Sequence, residues 1–253
     1  MVYRASVSNA DKKVIEKIHG VVLGVIRHND RNNIVTLYTA ERGRISFLSS
    51  AAGGKSGRMR RARLSPLAMV ESDVNFRESR ELQYLGAVEV VAPWRELYFD
   101  PMKAPIVIFI SEFLNKLLRT SGPDPAMWAF VTRSLAALDC ARRGLANYHL
   151  AFLIRMLPIV GIAPDTIPWQ RGDLFDMRTA EFTPLPPGHS DILPADESAA
   201  IATLMRINYR NMHLFRFNVG QRRRLLNVLL HYYSLHLPMP SQLKSVEVLS
   251  ELF

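Results

Sequence analysis

Ile34-Val35-Thr36-Leu37-Tyr38-Thr39-Ala40-Glu41-Arg42-Gly43-Arg44-Ile45-Ser46-Phe47 is the stretch on which the fold of this chain turns. Ile34 to Thr39 alternates in the manner of a strand, Glu41-Arg42-Gly43 supplies turn chemistry, and Arg44 to Leu48 resumes the extended pattern, so the stretch predicts a β-hairpin. Upstream, Ile15 to Ile26 carries the run Val21-Val22-Leu23-Gly24-Val25-Ile26 and stops at the polar cluster His28 to Asn33, which predicts another strand and a turn. Downstream, Ser49 to Ser65 holds Gly53, Gly54 and Gly57 with five cations and no acidic residue, the composition of a mobile basic loop. Leu67 to Phe76 and Leu82 to Val91 are two more extended runs, separated by the charged turn Arg77-Glu78-Ser79-Arg80-Glu81.

Five strands within residues 1–92 predict a small five-stranded β-barrel of the OB type. A domain boundary falls near Pro93, and from Ala104 onward the period changes. Ile106, Phe109, Ile110, Phe113, Leu114 and Leu117 fall on one face of a helix, and further helices are expected over Pro125 to Arg142, Leu145 to Val160, Ala195 to Asn208, Val219 to Leu235 and Ser241 to Leu252. Pro164 to Pro187 interrupts them with five prolines, and Leu174, Phe175 and Phe182 around the tetrad Arg178-Thr179-Ala180-Glu181 read as a small hairpin. The expectation is an α+β protein with a barrel over 1–92 and a helical bundle over 93–253, the latter carrying an inserted module over 162–190.

Charge points to a polyanion as partner. Lys and Arg number 32 against 23 Asp and Glu, a formal net charge of +9. Met1 to Lys17 lacks the apolar run of a signal peptide and no long apolar span follows, so a soluble cytoplasmic protein without membrane attachment is expected. The single cysteine, Cys140, excludes an internal disulfide and a thiolate zinc cluster, and its apolar helical surroundings suggest a buried core residue. Catalytic patterns are missing. No HExxH, DxD or GxSxG occurs, and Gly53-Gly54-Lys55-Ser56 lacks the first glycine of a Walker loop. No enzyme activity, cofactor or metal is expected, since His189, Asp191 and His213 have no ligand spacing.

Lys55, Arg58, Arg60, Arg61 and Arg63 are the leading candidates for contact with nucleic acid, because clustered cations meet successive phosphates and release condensed counterions. A solvated charge run has the same composition. Position favours the first reading, because in an OB barrel the second and third strands and adjoining loops form the usual groove. Arg27 and Arg44 flank that groove as further phosphate contacts. Tyr38 and Phe47 lie on those strands, where a ring either stacks on a base or packs in the core, depending on register. In the helical part, Arg142, Arg143 and Arg155 accompany an apolar helix face, which suits either a cation-rimmed pocket for a peptide ending in a hydrophobic residue and free carboxylate, or a plain amphipathic helix. A non-catalytic adaptor that uses its basic surface for an acidic protein partner is the alternative reading.

The Ile34 to Phe47 stretch, followed by small residues, the basic segment and Leu64-Ser65-Pro66-Leu67, resembles the N-terminal OB domain of the RecO family. Ser111-Glu112-Phe113-Leu114 looks like the family's first bundle helix, and Phe152-Leu153-Ile154-Arg155-Met156-Leu157 through Gly161 like the helix before its insertion. Many members place four zinc-binding cysteines there, whereas Gly161 to Pro187 has none, so apolar packing by Trp169, Phe175 and Phe182 would have to keep the module's shape. The resemblance implies a mediator that binds single- and double-stranded DNA, anneals strands, engages the C-terminal tail of single-stranded DNA-binding protein, and works with RecR to load RecA.

Overall fold

The hairpin predicted around Glu41-Arg42-Gly43 forms as β2 (Asn32–Thr39) and β3 (Gly43–Ser50), paired with Leu37 opposite Ile45 and Val35 opposite Phe47. This computed structural model describes residues 14–51, 53–77, 80, 82–167, 169–240 and 242–252. Most of the Met1 to Lys17 reading, and Glu78, Ser79 and Glu81 of the charged turn, lie outside the described residues. Contacts divide the chain into two units: residues up to Pro93 with Leu118–Asp124, and Trp94–Leu117 with Pro125–Phe253.

In the first unit β1 (Val14–Arg27) pairs with β2 and with β4 (Met69–Phe76), and the sheet runs in the order β5-β3-β2-β1-β4-β6. The run Leu82 to Val91, expected as one strand, breaks into β5 (Gln83–Tyr84) on the β3 edge and β6 (Val88–Ala92) on the β4 edge. Gly86 makes the crossing possible, because a Cβ there would run into the carbonyl oxygen of Asp73. Only Leu85, Gly86 and Ala87 separate the two strands, and the four steps from Tyr84 to Val88 reach at most about 14 Å, so the opposite edges of the sheet converge. It curls around Ile18, Val22, Val35, Leu37, Phe47, Val70, Val74, Leu85 and Val88, a continuous apolar core. No ladder joins β5 to β6. The five-stranded barrel expected from the sequence therefore appears as a curled six-stranded sheet.

Leu118–Asp124 returns to this unit, which the sequence did not suggest. Ser121 accepts a hydrogen bond from the Arg44 amide at 3.1 Å and Asp124 one from the Tyr38 hydroxyl at 3.3 Å. Gly43 holds φ +68° with its α-carbon against Gly122, a place closed to any side chain.

The basic segment expected as a mobile loop is helical instead. Gly54–Arg63 forms a helix, α1. Lys, Arg, Met and Ala are good helix formers, and Arg60, Arg61 and Arg63 in its last turn complement the negative end of the helix dipole.

The second unit holds α2 (Ala104–Leu117), α3 (Pro125–Cys140), α4 (Tyr148–Met156), α5 (Ala195–Leu204), α6 (Val219–His236) and α7 (Ser245–Leu252). Every residue of α4 but Arg155 is buried, as befits a helix that is apolar nearly all round. Phe113 sits edge-on to Phe152 and Tyr233, with ring centroids 6.1 and 5.1 Å away. Asp139 receives the amides of Arg95, Glu96 and Leu97, and buried Lys103 donates to its carbonyl oxygen at 2.8 Å. Beyond α4, Gly161 takes a left-handed conformation, φ +76°, near the predicted end of this helical segment.

The insertion folds as β7 (Leu174–Asp176) paired with β8 (Glu181–Thr183), Phe175 opposite Phe182, and a further strand β9 (Ile192–Leu193) joins beyond residue 190. Apolar contact of Phe175 with Phe182 and Tyr232 is supplemented by polar ties that the sequence did not announce. Asp191 accepts from Arg178 and faces His231 at 2.9 Å, and Asp176 faces His189 at 3.2 Å.

Candidate nucleic-acid interface and basic cleft

Helix α1 sorts its cations into two groups. Gly57, Arg60 and Leu64 recur at helical spacing on the side facing the sheet, where Gly57 and Leu64 are buried. The Arg60 guanidinium donates to Ser49 Oγ at 2.8 Å and to the carbonyl oxygens of Leu85 and Gly86 at 2.9 and 3.0 Å. Burial lowers its pKa, though an arginine stays charged regardless. Arg63 reaches the Val88 carbonyl oxygen at 2.8 Å. Two arginines thus fasten the helix to the crossing between β5 and β6. Lys55, Arg58 and Arg61 are exposed, and among the described residues their side chains make no hydrogen bond or ion pair. A shallow cavity of about 240 Å³ between the helix and the strand ends is lined in part by Arg61, Asn33, Ser50 and Val25.

Arg27 is largely exposed and pairs with Asp30. Arg44 is half-buried, and burial together with the nearby charge of Arg119 lowers its pKa. Tyr38 and Phe47, the rings read as possible stacking platforms, are both fully buried. Tyr38 is covered by the returning segment that its hydroxyl binds, and burial, then the Asp124 charge, push that hydroxyl up to about 12. Phe47 packs edge-on to Phe76 at 6.4 Å inside the sheet. Neither can meet a base.

In the helical unit Arg142, Arg143 and Arg155 come together on one cleft of about 1100 Å³, joined by Arg133, Arg210 and His213. None of its lining residues is acidic, and Phe130, Ile159, Tyr209 and four alanines supply apolar surface. Tyr209 stacks on Tyr148 at 4.9 Å and donates to Ser134 Oγ at 2.8 Å, so this wall is held rigidly. Arg142 pairs with Glu96 at 3.0 Å. Cys140, expected in the core, is exposed and lines the cleft, because it falls in the last turn of α3. Arg133, Tyr209 and Arg210 were missed because they come from separate segments; the alanine stripe 126, 129 and 137 on α3 was the available signal for an open face.

Among the described residues no group of three or more His, Cys, Asp or Glu could hold a metal ion, and no helix is long and apolar enough to cross a membrane.

Two family models match the chain, Recombination protein O N terminal over residues 14–94 and Recombination protein O C terminal over 99–167. Three curated relatives, each called DNA repair protein RecO, align over nearly the whole chain. That of Bacteroides fragilis is 36% identical over 95% of this chain and 100% of its own length, and that of Phocaeicola vulgatus 37% identical over the same shares. The Porphyromonas gingivalis protein is 34% identical over 92% of this chain and 97% of its own length.

Proposed function

Because this chain belongs to the RecO family, we propose that it is a cytoplasmic, non-catalytic recombination mediator, which binds single- and double-stranded DNA and anneals complementary strands in DNA repair. The curled sheet of the first unit, with α1 between its third and fourth strands, serves as the OB-type barrel of this function. The observation that carries the reading is the presentation of Lys55, Arg58 and Arg61 as exposed cations, without partners among the described residues, on a helix that Arg60 and Arg63 hold in place. Such a surface offsets repulsion between two phosphate backbones without choosing a sequence. Arg27, beside Asn33 at the end of the sheet that leads into α1, extends it, and Arg44 at the opposite end of β3 is a separate phosphate contact.

The cleft of the helical unit takes the acidic, hydrophobic-ended C-terminal tail of single-stranded DNA-binding protein, with Arg142, Arg143 and Arg155 meeting its carboxylates and the aromatic wall its last side chain. Together with RecR the protein then promotes RecA loading. Annealing by this route requires no covalent chemistry.

A salt titration of DNA binding, read by fluorescence anisotropy, tests the DNA assignment. The variant with Lys55→Glu, Arg58→Glu and Arg61→Glu is expected to bind unrelated sequences at least tenfold more weakly and to lose roughly one unit of salt slope per lost phosphate contact. Unchanged affinity and slope would remove α1 from the interface.

A further inference from the structure

The first unit has four aromatic rings of phenylalanine, tyrosine or tryptophan among its described residues: Tyr38, Phe47, Phe76 and Tyr84. Three are buried. Tyr84 is 52% exposed, on the short edge strand β5 beside Leu48 of β3. Its placement follows from strand alternation, since Gln83 points inward when Tyr84 points outward.

Gln83 builds the surroundings of that ring. Its buried amide accepts from the Arg77 amide at 3.0 Å and donates to the carbonyl oxygens of Arg77 and Arg80 at 2.9 and 2.7 Å. The backbone of Arg80 is thereby fixed, and its guanidinium lies over the Tyr84 ring, 5.4 Å from the centroid. On the other side of Tyr84 the chain continues into Leu85 and Gly86, whose carbonyl oxygens anchor Arg60 of α1. An exposed ring thus lies between a guanidinium and the attachment of the cationic helix.

We infer that Tyr84 is the platform on which an unpaired base of single-stranded DNA stacks, on the ring face that Arg80 does not cover, with the Arg80 guanidinium at the other face placed to meet a phosphate of the bound strand. Rings bind bases of any kind by their faces, so such a contact adds affinity without sequence choice. A base inside a duplex already has both faces covered, and the ring contributes nothing there. The inference rests on the DNA-binding reading above and gives that surface a preference for single strands, which cations alone do not supply.

Anisotropy titrations against an oligothymidylate, an abasic strand of the same length and a duplex separate the possibilities. Tyr84→Ala is expected to weaken oligothymidylate binding by about 5-fold to 150-fold, the range for loss of one stacked base. Tyr84→Phe and Tyr84→Trp are expected to retain it, and the abasic strand and the duplex to be unaffected by all three changes. Unfolding temperature serves as the control, since an exposed ring can be cut back without opening the core. Equal losses on all three ligands, or no loss on oligothymidylate, overturn the platform; if the variant with Lys55→Glu, Arg58→Glu and Arg61→Glu still binds all three more weakly than the unaltered protein, the DNA-binding reading survives that result. An unaltered protein that binds none of them overturns both.

Discussion

Arg60 donates from Nη2 to the carbonyl oxygen of Leu85 at 2.9 Å, tying the last turn of a cationic helix to a carbonyl that the break between β5 and β6 leaves open. A residue that composition groups with its neighbours as a DNA contact is therefore part of the fold. Its truncation should behave unlike theirs. Arg60→Ala is expected to destabilise the protein by about 1–3 kcal/mol, the cost of leaving buried carbonyls without donors. Arg58→Ala and Arg61→Ala are expected to change stability by less than about 0.5 kcal/mol and to weaken DNA binding instead. Denaturant unfolding of the three variants checks this, and equal stabilities would contradict the anchoring role.

Reversing charge in the helical cleft should uncouple partner binding from DNA binding. Arg143→Glu combined with Arg155→Glu is expected to weaken binding of an acidic peptide ending in phenylalanine by roughly tenfold or more, since charge-assisted hydrogen bonds contribute about 1.5–3 kcal/mol each. Affinity for duplex DNA should change far less. Calorimetry with the peptide and anisotropy with the duplex make the comparison, and equal losses in both would merge the two surfaces into one.

Asp139 organises the chain that enters α2. Burial pushes its carboxyl up, but the amides of Glu96, Arg95 and Leu97 outweigh that and hold it below the usual carboxylate range. A depressed folded-state pKa gives stability that is present above the ordinary value of about 4 and lost as pH falls toward the folded one. Asp139→Ala leaves three amides and buried Lys103 short of an acceptor or counter-charge, for an expected loss of about 2–4 kcal/mol. Thermal unfolding of this variant near neutral pH gives the number, and a shift within error would remove Asp139 from the group of structural anchors.

His149, wholly inside the bundle, sets a second pH dependence. Burial, with the charge of Arg222 adding to it, pushes its imidazole down to about 3. As pH drops below about 6.5 the unfolded chain takes up a proton that the folded one refuses, so stability falls, by on the order of 2 kcal/mol at about pH 5. The neutral variant His149→Gln is expected to flatten that slope. Denaturation midpoints between about pH 7 and pH 5 decide it, and an identical slope in both proteins assigns the effect elsewhere.

Much of this was open to the eye in one dimension. Ile34 to Phe47 declares its hairpin because strand alternation and a glycine turn are local properties, and Gly43 must be glycine because its backbone lies in the left-handed region. Phe109, Phe113 and Phe152 declare a helical core by their spacing. The cleft was legible in part, since Arg142, Arg143 and Arg155 lie close together along the chain, whereas Arg133 and Arg210 meet them only through folding.

What the sequence by itself determined was the order and type of the elements, the change from strand to helix near Pro93, and the excess of positive charge, all of which depend on neighbours along the chain. Which groups face water was decided by the tertiary structure. Tyr38 is buried because Leu118–Asp124 returns to cover it, Tyr84 is exposed because Gln83 takes the inward position, and Arg60 turns inward because the break between β5 and β6 leaves carbonyl oxygens that need a donor. Each of these depends on groups distant in sequence whose hydrogen bonds and packing exist only once the chain has folded.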